Sequence, residues 1–236
     1  MAAQRPQATI FVLDRSTSMS GSIAPLETKA LTSGLKRFGS KKLNMVAQAV
    51  GSTTSVTLWE ALVTSVKAAT TSPVVTQADQ IAALAFATDT RCLLEIQDRT
   101  KESIDAMLTE LDATKANGGG TALYSALVAV MDRAETYDAD FNLVVVTDGM
   151  DNLSTPEDIQ RCSELSQSLI TDGRLNVAFL AILPEKKHDA MRAQVQDKLG
   201  VPAENIRIVD RNRLNLSKLL DAMKKTVEII ASKLQR

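Results

Sequence analysis

The chain has one histidine in 236 residues, which removes most zinc sites and leaves His188 as the sole imidazole for any Ser-His-Asp arrangement. Its two cysteines, Cys92 and Cys162, stand far apart, so no disulfide framework is expected and the thiols read as reduced and partly buried. No apolar run approaches the roughly 20 residues of a membrane-spanning helix, and residues 1–7 carry no hydrophobic segment of a secretory signal, so the expected address is the cytoplasm. Neither sign of charge dominates. With 27 basic and 28 acidic side chains there is no bulk electrostatic footprint for nucleic acid or an anionic membrane, and any partner is chosen locally. Aromatics make up 3%, and Trp59 and Tyr124 both fall on helical apolar faces, where core packing is the default. No linker or low-complexity stretch divides the chain, and 44% hydrophobic residues suffice for one sizeable core. A single, slightly extended domain over residues 1–236 is expected.

The apolar residues that are present are grouped in two ways. Ala8 to Asp14 is a continuous apolar run ending in a carboxylate, the pattern of a strand buried on both faces and central in a parallel sheet. Similar runs recur at Ile81 to Thr88, Asn142 to Thr147, Val177 to Leu183 and Ile206 to Val209. Between them lie helical periodicities, such as Ile104, Met107, Leu108 and Leu111, or Ile159, Cys162, Leu165 and Leu169. Thr155, Pro156, Glu157 and Asp158 read as a capped helix start, and a stripe from Leu216 to Leu234 as a last helix. Asp89 and Thr90 separate two strand-like runs, which predicts a tight hairpin and one antiparallel edge strand over Arg91 to Ile96. The alternation predicts an α/β sandwich, a mostly parallel sheet with helices on both faces. Residues 40–73 carry more helix than one βα unit needs and are read as a helical insertion, with an amphipathic segment from Leu58 to Ala69. That segment echoes Leu123 to Ala134, which two similar helices on one sheet explain without a repeat architecture.

In an open parallel sheet, ligands bind beyond the carboxyl ends of the strands. The loops there are rich in oxygen: Asp14-Arg15-Ser16-Thr17-Ser18, Gly118-Gly119-Gly120-Thr121 and Thr147-Asp148-Gly149. Hard cations such as magnesium take oxygen ligands, about six in octahedral geometry, and often keep water where the protein does not reach. Asp14, Ser16, Ser18, Thr121 and Asp148 are the candidate ligands.

In these motifs the sequence resembles the von Willebrand factor A family, whose metal-ion-dependent adhesion site combines DxSxS, a distant threonine and the aspartate of a TDG turn. The resemblance implies a Rossmann-like doubly wound fold over essentially the whole chain. It also implies direct metal bonds from the Ser16 and Ser18 hydroxyls, a direct or water-mediated bond from Thr121, and Asp14 and Asp148 acting mainly through water. A mostly neutral ligand set quenches little of the two positive charges, so an Asp or Glu of a partner protein would complete the site. The implied cofactor is Mg2+, with Mn2+ as a substitute. Intracellular members resemble adaptors in multi-protein assemblies, including those around AAA+ ATPases, and the motif wording is similar to short bacterial or phage members. Thr17 departs from the glycine often found between the two serines. A β-branched residue resists positive φ, so a loop needing that conformation would hold metal less well. Arg15 beside it would either face a partner or pair with Asp89 or Asp151.

Other chemistries fit less completely. The glycine triplet lacks the Lys-Ser/Thr ending of a phosphate-binding P-loop. No GxSxG elbow accompanies His188, which shares a stripe with Met191, Val195 and Leu199 and reads as a packing or helix-end residue. A Mg2+-dependent phosphohydrolase using Asp14 as nucleophile remains a rival, although Ser16 stands where such enzymes place a second acid. A scaffold binding through the 40–73 region is the third reading.

Overall fold

β1 (Gln7–Asp14) is buried at every position after the first, and its alternating side chains feed two separate cores. Phe11 and Leu13 join one and Ile10 and Val12 the other, which requires layers on both sides of the strand. The computed structural model describes residues 5–23, 56–70 and 75–234. In it β1 is flanked by β4 (Gln80–Phe86) and β6 (Asp140–Thr147), both parallel to it. β7 (Leu175–Leu183) and β8 (Ile206–Asp210) continue the parallel set, and β5 (Thr90–Asp98) closes the other edge antiparallel to β4, giving the order β5-β4-β1-β6-β7-β8. The mostly parallel sheet and its antiparallel edge strand are therefore as expected. Parallelism brings Asp14, Phe86, Thr147, Leu183 and Asp210 to one edge of the sheet, where the site lies.

On one face pack α1 (Leu58–Thr70), α2 (Lys101–Ala113) and α6 (Leu216–Leu234), through residues such as Leu62, Met107, Leu219 and Met223. On the other pack α3 (Leu123–Thr136), α4 (Pro156–Thr171) and α5 (His188–Leu199), through Leu127, Cys162 and Met191. The two helices that echo one another in sequence thus cover opposite faces. Trp59 donates its indole N–H to Thr114 O (2.8 Å) and Tyr124 accepts from Gln194 (2.8 Å), so both aromatics are buried with a polar tip satisfied. Thr155 caps α4 by accepting from the Asp158 N–H at 3.1 Å.

The elements differ from expectation at two places. The strand expected to reach Thr88 ends at Phe86, because the Ala87 N–H turns to Asp89 O (2.8 Å) and its carbonyl accepts from Ala122 N (2.8 Å). Of the insertion expected at 40–73, residues 58–70 form α1, while residues 40–55 and 71–73 lie outside the described residues. A two-residue antiparallel ladder pairs β2 (Ser22–Ile23), after β1, with β3 (Val56–Thr57), which leads directly into α1. Cys162 is buried and Cys92 exposed, both as free thiols.

Candidate metal centre

The last residue of β1 is a carboxylate with no exposed surface. Asp14 Oδ1 accepts the Ser16 N–H (2.8 Å) and Oδ2 accepts the Thr147 hydroxyl (2.6 Å), so Asp14 pins the loop after β1 to the end of β6. The chain then enters a 3-10 turn, Thr17–Ser20, that brings Ser16 Oγ to 2.9 Å from Ser18 Oγ. Ser18 Oγ donates to Asp148 Oδ1 at 2.6 Å. A hydroxyl has one proton, so the bond between the serines runs from Ser16 to Ser18, and both lone pairs of Ser16 stay available. Asp14, Ser16, Ser18 and Asp148 therefore form one hydrogen-bonded chain, built from two loops more than a hundred residues apart.

Thr121 joins this chain through packing. Its N–H donates to Asn152 Oδ1 (2.8 Å) and its carbonyl accepts the Asn152 N–H (3.0 Å), which fixes it to the loop that follows β6. A Cβ on Gly149 would stand 3.0 Å from Thr121 Oγ1, so the glycine after Asp148 is what admits that hydroxyl. The glycine triplet before Thr121 has a similar explanation. A Cβ on Gly118 would fall 2.2 Å from the Ala87 Cβ, and one on Gly120 would fall 2.7 Å from Leu153 Cδ1. Gly119 has φ of 81°, in the left-handed region that side chains resist.

Thr17 and Arg15 are both turned to structural use. Among the described residues no non-glycine has positive φ, so Thr17 carries none of the strain that its β-branch would otherwise bring. Arg15 faces inward as one of its two expected arrangements, pairing with Asp89 at 2.5 Å. Asp151 instead caps α3, accepting the Leu123 N–H (2.7 Å) and the Ser154 hydroxyl (2.6 Å). His188 opens α5 with Nε2 against Leu183 O (2.8 Å), a helix-end role.

Electrostatically the site is unfavourable by itself. Burial pushes Asp148 up to about 6, and the nearby Asp14 charge adds to this, against the pull of Ser18 and Arg211 in the other direction. Asp14 is raised as well, mainly by burial, while its bonds from Thr147 and Ser16 act against that. Two neighbouring carboxylates that resist ionisation are what a divalent cation would relieve. The donors suit such an ion: they are hard oxygens, mostly neutral, and held by hydrogen bonds to buried groups. Among the described residues there is no cluster of three or more His, Cys, Asp or Glu side chains able to hold a metal. The hydroxyl site is thus the candidate centre.

One participant gives no sequence signal of its own. Arg211 follows β8 directly, and its guanidinium donates from Nη1 to Asp148 Oδ2 (2.6 Å) and from Nη2 to Ser18 O (2.8 Å). The rule that singled out residues after apolar strands applies to it equally, but a search for oxygen ligands passes over a basic side chain.

The fold agrees with what comparison finds. Solved structures share the fold at low identity. A von Willebrand factor type A protein from Catenulispora acidiphila is 17% identical with a TM-score of 0.59, covering 98% of this chain and 43% of that one. Proximal thread matrix protein 1 from the mussel byssus, with a zinc-occupied MIDAS motif, is 14% identical with a TM-score of 0.59 over 96% of this chain and 48% of its own. The PilB minor pilin from Streptococcus sanguinis is 12% identical with a TM-score of 0.63, over 100% of this chain and 62% of that one. This chain thus spans less than two thirds of each of these proteins. No curated protein matches the sequence. The profile of the von Willebrand factor type A domain matches residues 7–71 and 57–197, and the chain belongs to that family.

Proposed function

We propose that this domain is a metal-dependent protein-binding module, without catalysis of its own, that holds Mg2+ and through it an acidic residue of a partner. The observation that carries the reading is the pair of serine hydroxyls, 2.9 Å apart and backed by buried Asp14 and Asp148. Ser16 and Ser18 would hold the ion directly, with Thr121 directly or through water, and Asp14 and Asp148 would orient hydroxyls and water around it. Bound there, the cation supplies a Lewis-acidic position for a carboxylate. Mn2+ accepts the same oxygens and would serve in its place. The zinc-occupied motif of the mussel byssus protein supports a divalent ion at this place in the fold.

Asp14 is poorly suited to the rival role of phosphoryl nucleophile. It has no exposed surface, and each of its oxygens already accepts a hydrogen bond. The proposal extends, by resemblance to intracellular members of the family, to a bacterial cytoplasmic adaptor in a multi-protein assembly, with an AAA+ ATPase as one such setting. Affinity capture from the native source tests it, run with Mg2+ and with a chelator. Partners recovered only with Mg2+, and lost with Ser16→Ala, support the module. Partners retained equally under chelation would indicate another binding surface.

A further inference from the structure

We propose that Arg211 is a built-in competitor for the cation site, a fixed positive charge against which the metal must bind and which sets the site's affinity. The inference rests on the metal-binding reading above and concerns a residue outside the family motif.

The guanidinium occupies the same carboxylate that the motif assigns to the ion. Asp148 has a fully buried side chain, with one oxygen taken by the Ser18 hydroxyl and the other by Arg211, and Arg211 also reaches the Ser18 carbonyl. It therefore bridges the loops after β1 and β6 from the far end of the sheet. The surroundings are shaped for it. A Cβ on Gly21 would lie 2.9 Å from Arg211 Nη2, so the glycine leaves the space that the guanidinium fills. The backbone below is held too, because the Asp210 side chain accepts the Asn212 N–H (3.1 Å) and Leu214 is buried.

The guanidinium is a positive charge held in place by two hydrogen bonds. Its consequence for a divalent ion follows from sign alone: the cation gains Asp148 only by sharing it with, or displacing, a positive group. Two unit charges a few ångströms apart in a water-like environment change an equilibrium by roughly fivefold, and a doubly charged ion feels more. Removing the charge should tighten metal binding by about tenfold.

Titration calorimetry with Mn2+ alone tests this, at about pH 8, where carboxylates are ionised. Wild type, Arg211→Gln and Arg211→Lys are compared, each with and without Ser18→Ala. The expected result is tighter binding by about tenfold in Arg211→Gln, affinity near wild type in Arg211→Lys, which keeps the charge, and binding weakened by about tenfold or more wherever Ser18→Ala is added. Equal or weaker binding in Arg211→Gln, with wild type still binding, overturns the competitor role and leaves the metal reading intact. An absence of Mn2+ binding in both proteins overturns both. Should Arg211→Gln fail to fold, the wild-type protein carries a second readout. Saturating Mg2+ should shift the nitrogen-labelled guanidinium resonance of Arg211, and a resonance that does not move would contradict the proposal.

Discussion

Thr17 and Gly119 hold each other by reciprocal hydrogen bonds. The Thr17 N–H donates to Gly119 O at 3.0 Å, and the Gly119 N–H donates to Thr17 Oγ1 at 3.2 Å. This contact ties the serine loop to the glycine loop, and hence Ser16 and Ser18 to Thr121. The residue that breaks the family pattern is a clamp between two parts of the site.

Replacing Thr17 by the glycine common in the family should therefore weaken this protein. Thr17→Gly loses the hydroxyl acceptor and adds backbone freedom, at a cost of about 1 kcal/mol in stability, while Thr17→Ser keeps the bond and stays within about 0.5 kcal/mol. Chemical denaturation under chelation measures both. A Thr17→Gly protein as stable as wild type would show that the clamp is unimportant.

The glycine triplet should tolerate alanine according to the space around each position. Gly118→Ala forces a Cβ against that of Ala87, and about 1–3 kcal/mol of destabilisation is expected. Gly173, which has φ of 71° but nothing within 4 Å of the added Cβ, is the control, losing only the backbone term of about 1 kcal/mol. Thermal melts of the two variants should keep this order.

Stability without metal should fall as pH rises through the range set by Asp148. Its folded-state value is about 6 against an ordinary 3.8, so between these the native state binds more protons than the unfolded chain. The cost of holding the buried charge is absent below about pH 4 and complete above about pH 6, on the order of 3 kcal/mol. Asp148→Asn should flatten this slope in denaturation curves taken across that window. Saturating Mg2+, which favours the ionised carboxylate, should reverse it.

These expectations draw unequally on what the sequence alone displays. The central strands were legible because each is buried on both faces and reads as a largely apolar run, as in Leu143 to Val146. The Asp89 hairpin and the Thr155 cap were legible because turn and cap chemistry is local. Asp14, Ser16, Ser18 and Asp148 stood out because they end or follow those strands, whereas the glycine loop with Thr121 connects α2 to α3 and stood out by its composition alone. Arg211 did not, since its bonds to Asp148 and Ser18 span 63 and 193 residues and no local pattern encodes them. Thr17 was misleading for the same reason: its partner is 102 residues away, and its backbone never enters the region that a β-branch resists. The glycines before Thr121 showed their presence but not their cause, which is the approach of Ala87 and Leu153.

The most direct test of the central claim is a Mn2+ titration of the wild-type domain beside Ser16→Ala, Ser18→Ala and Thr121→Ala, with each variant's fold checked by circular dichroism. The account predicts one site in the wild type, weakened by about tenfold or more when either serine is removed and less when Thr121 is. Binding of equal strength in all four proteins, or none in any, would contradict it.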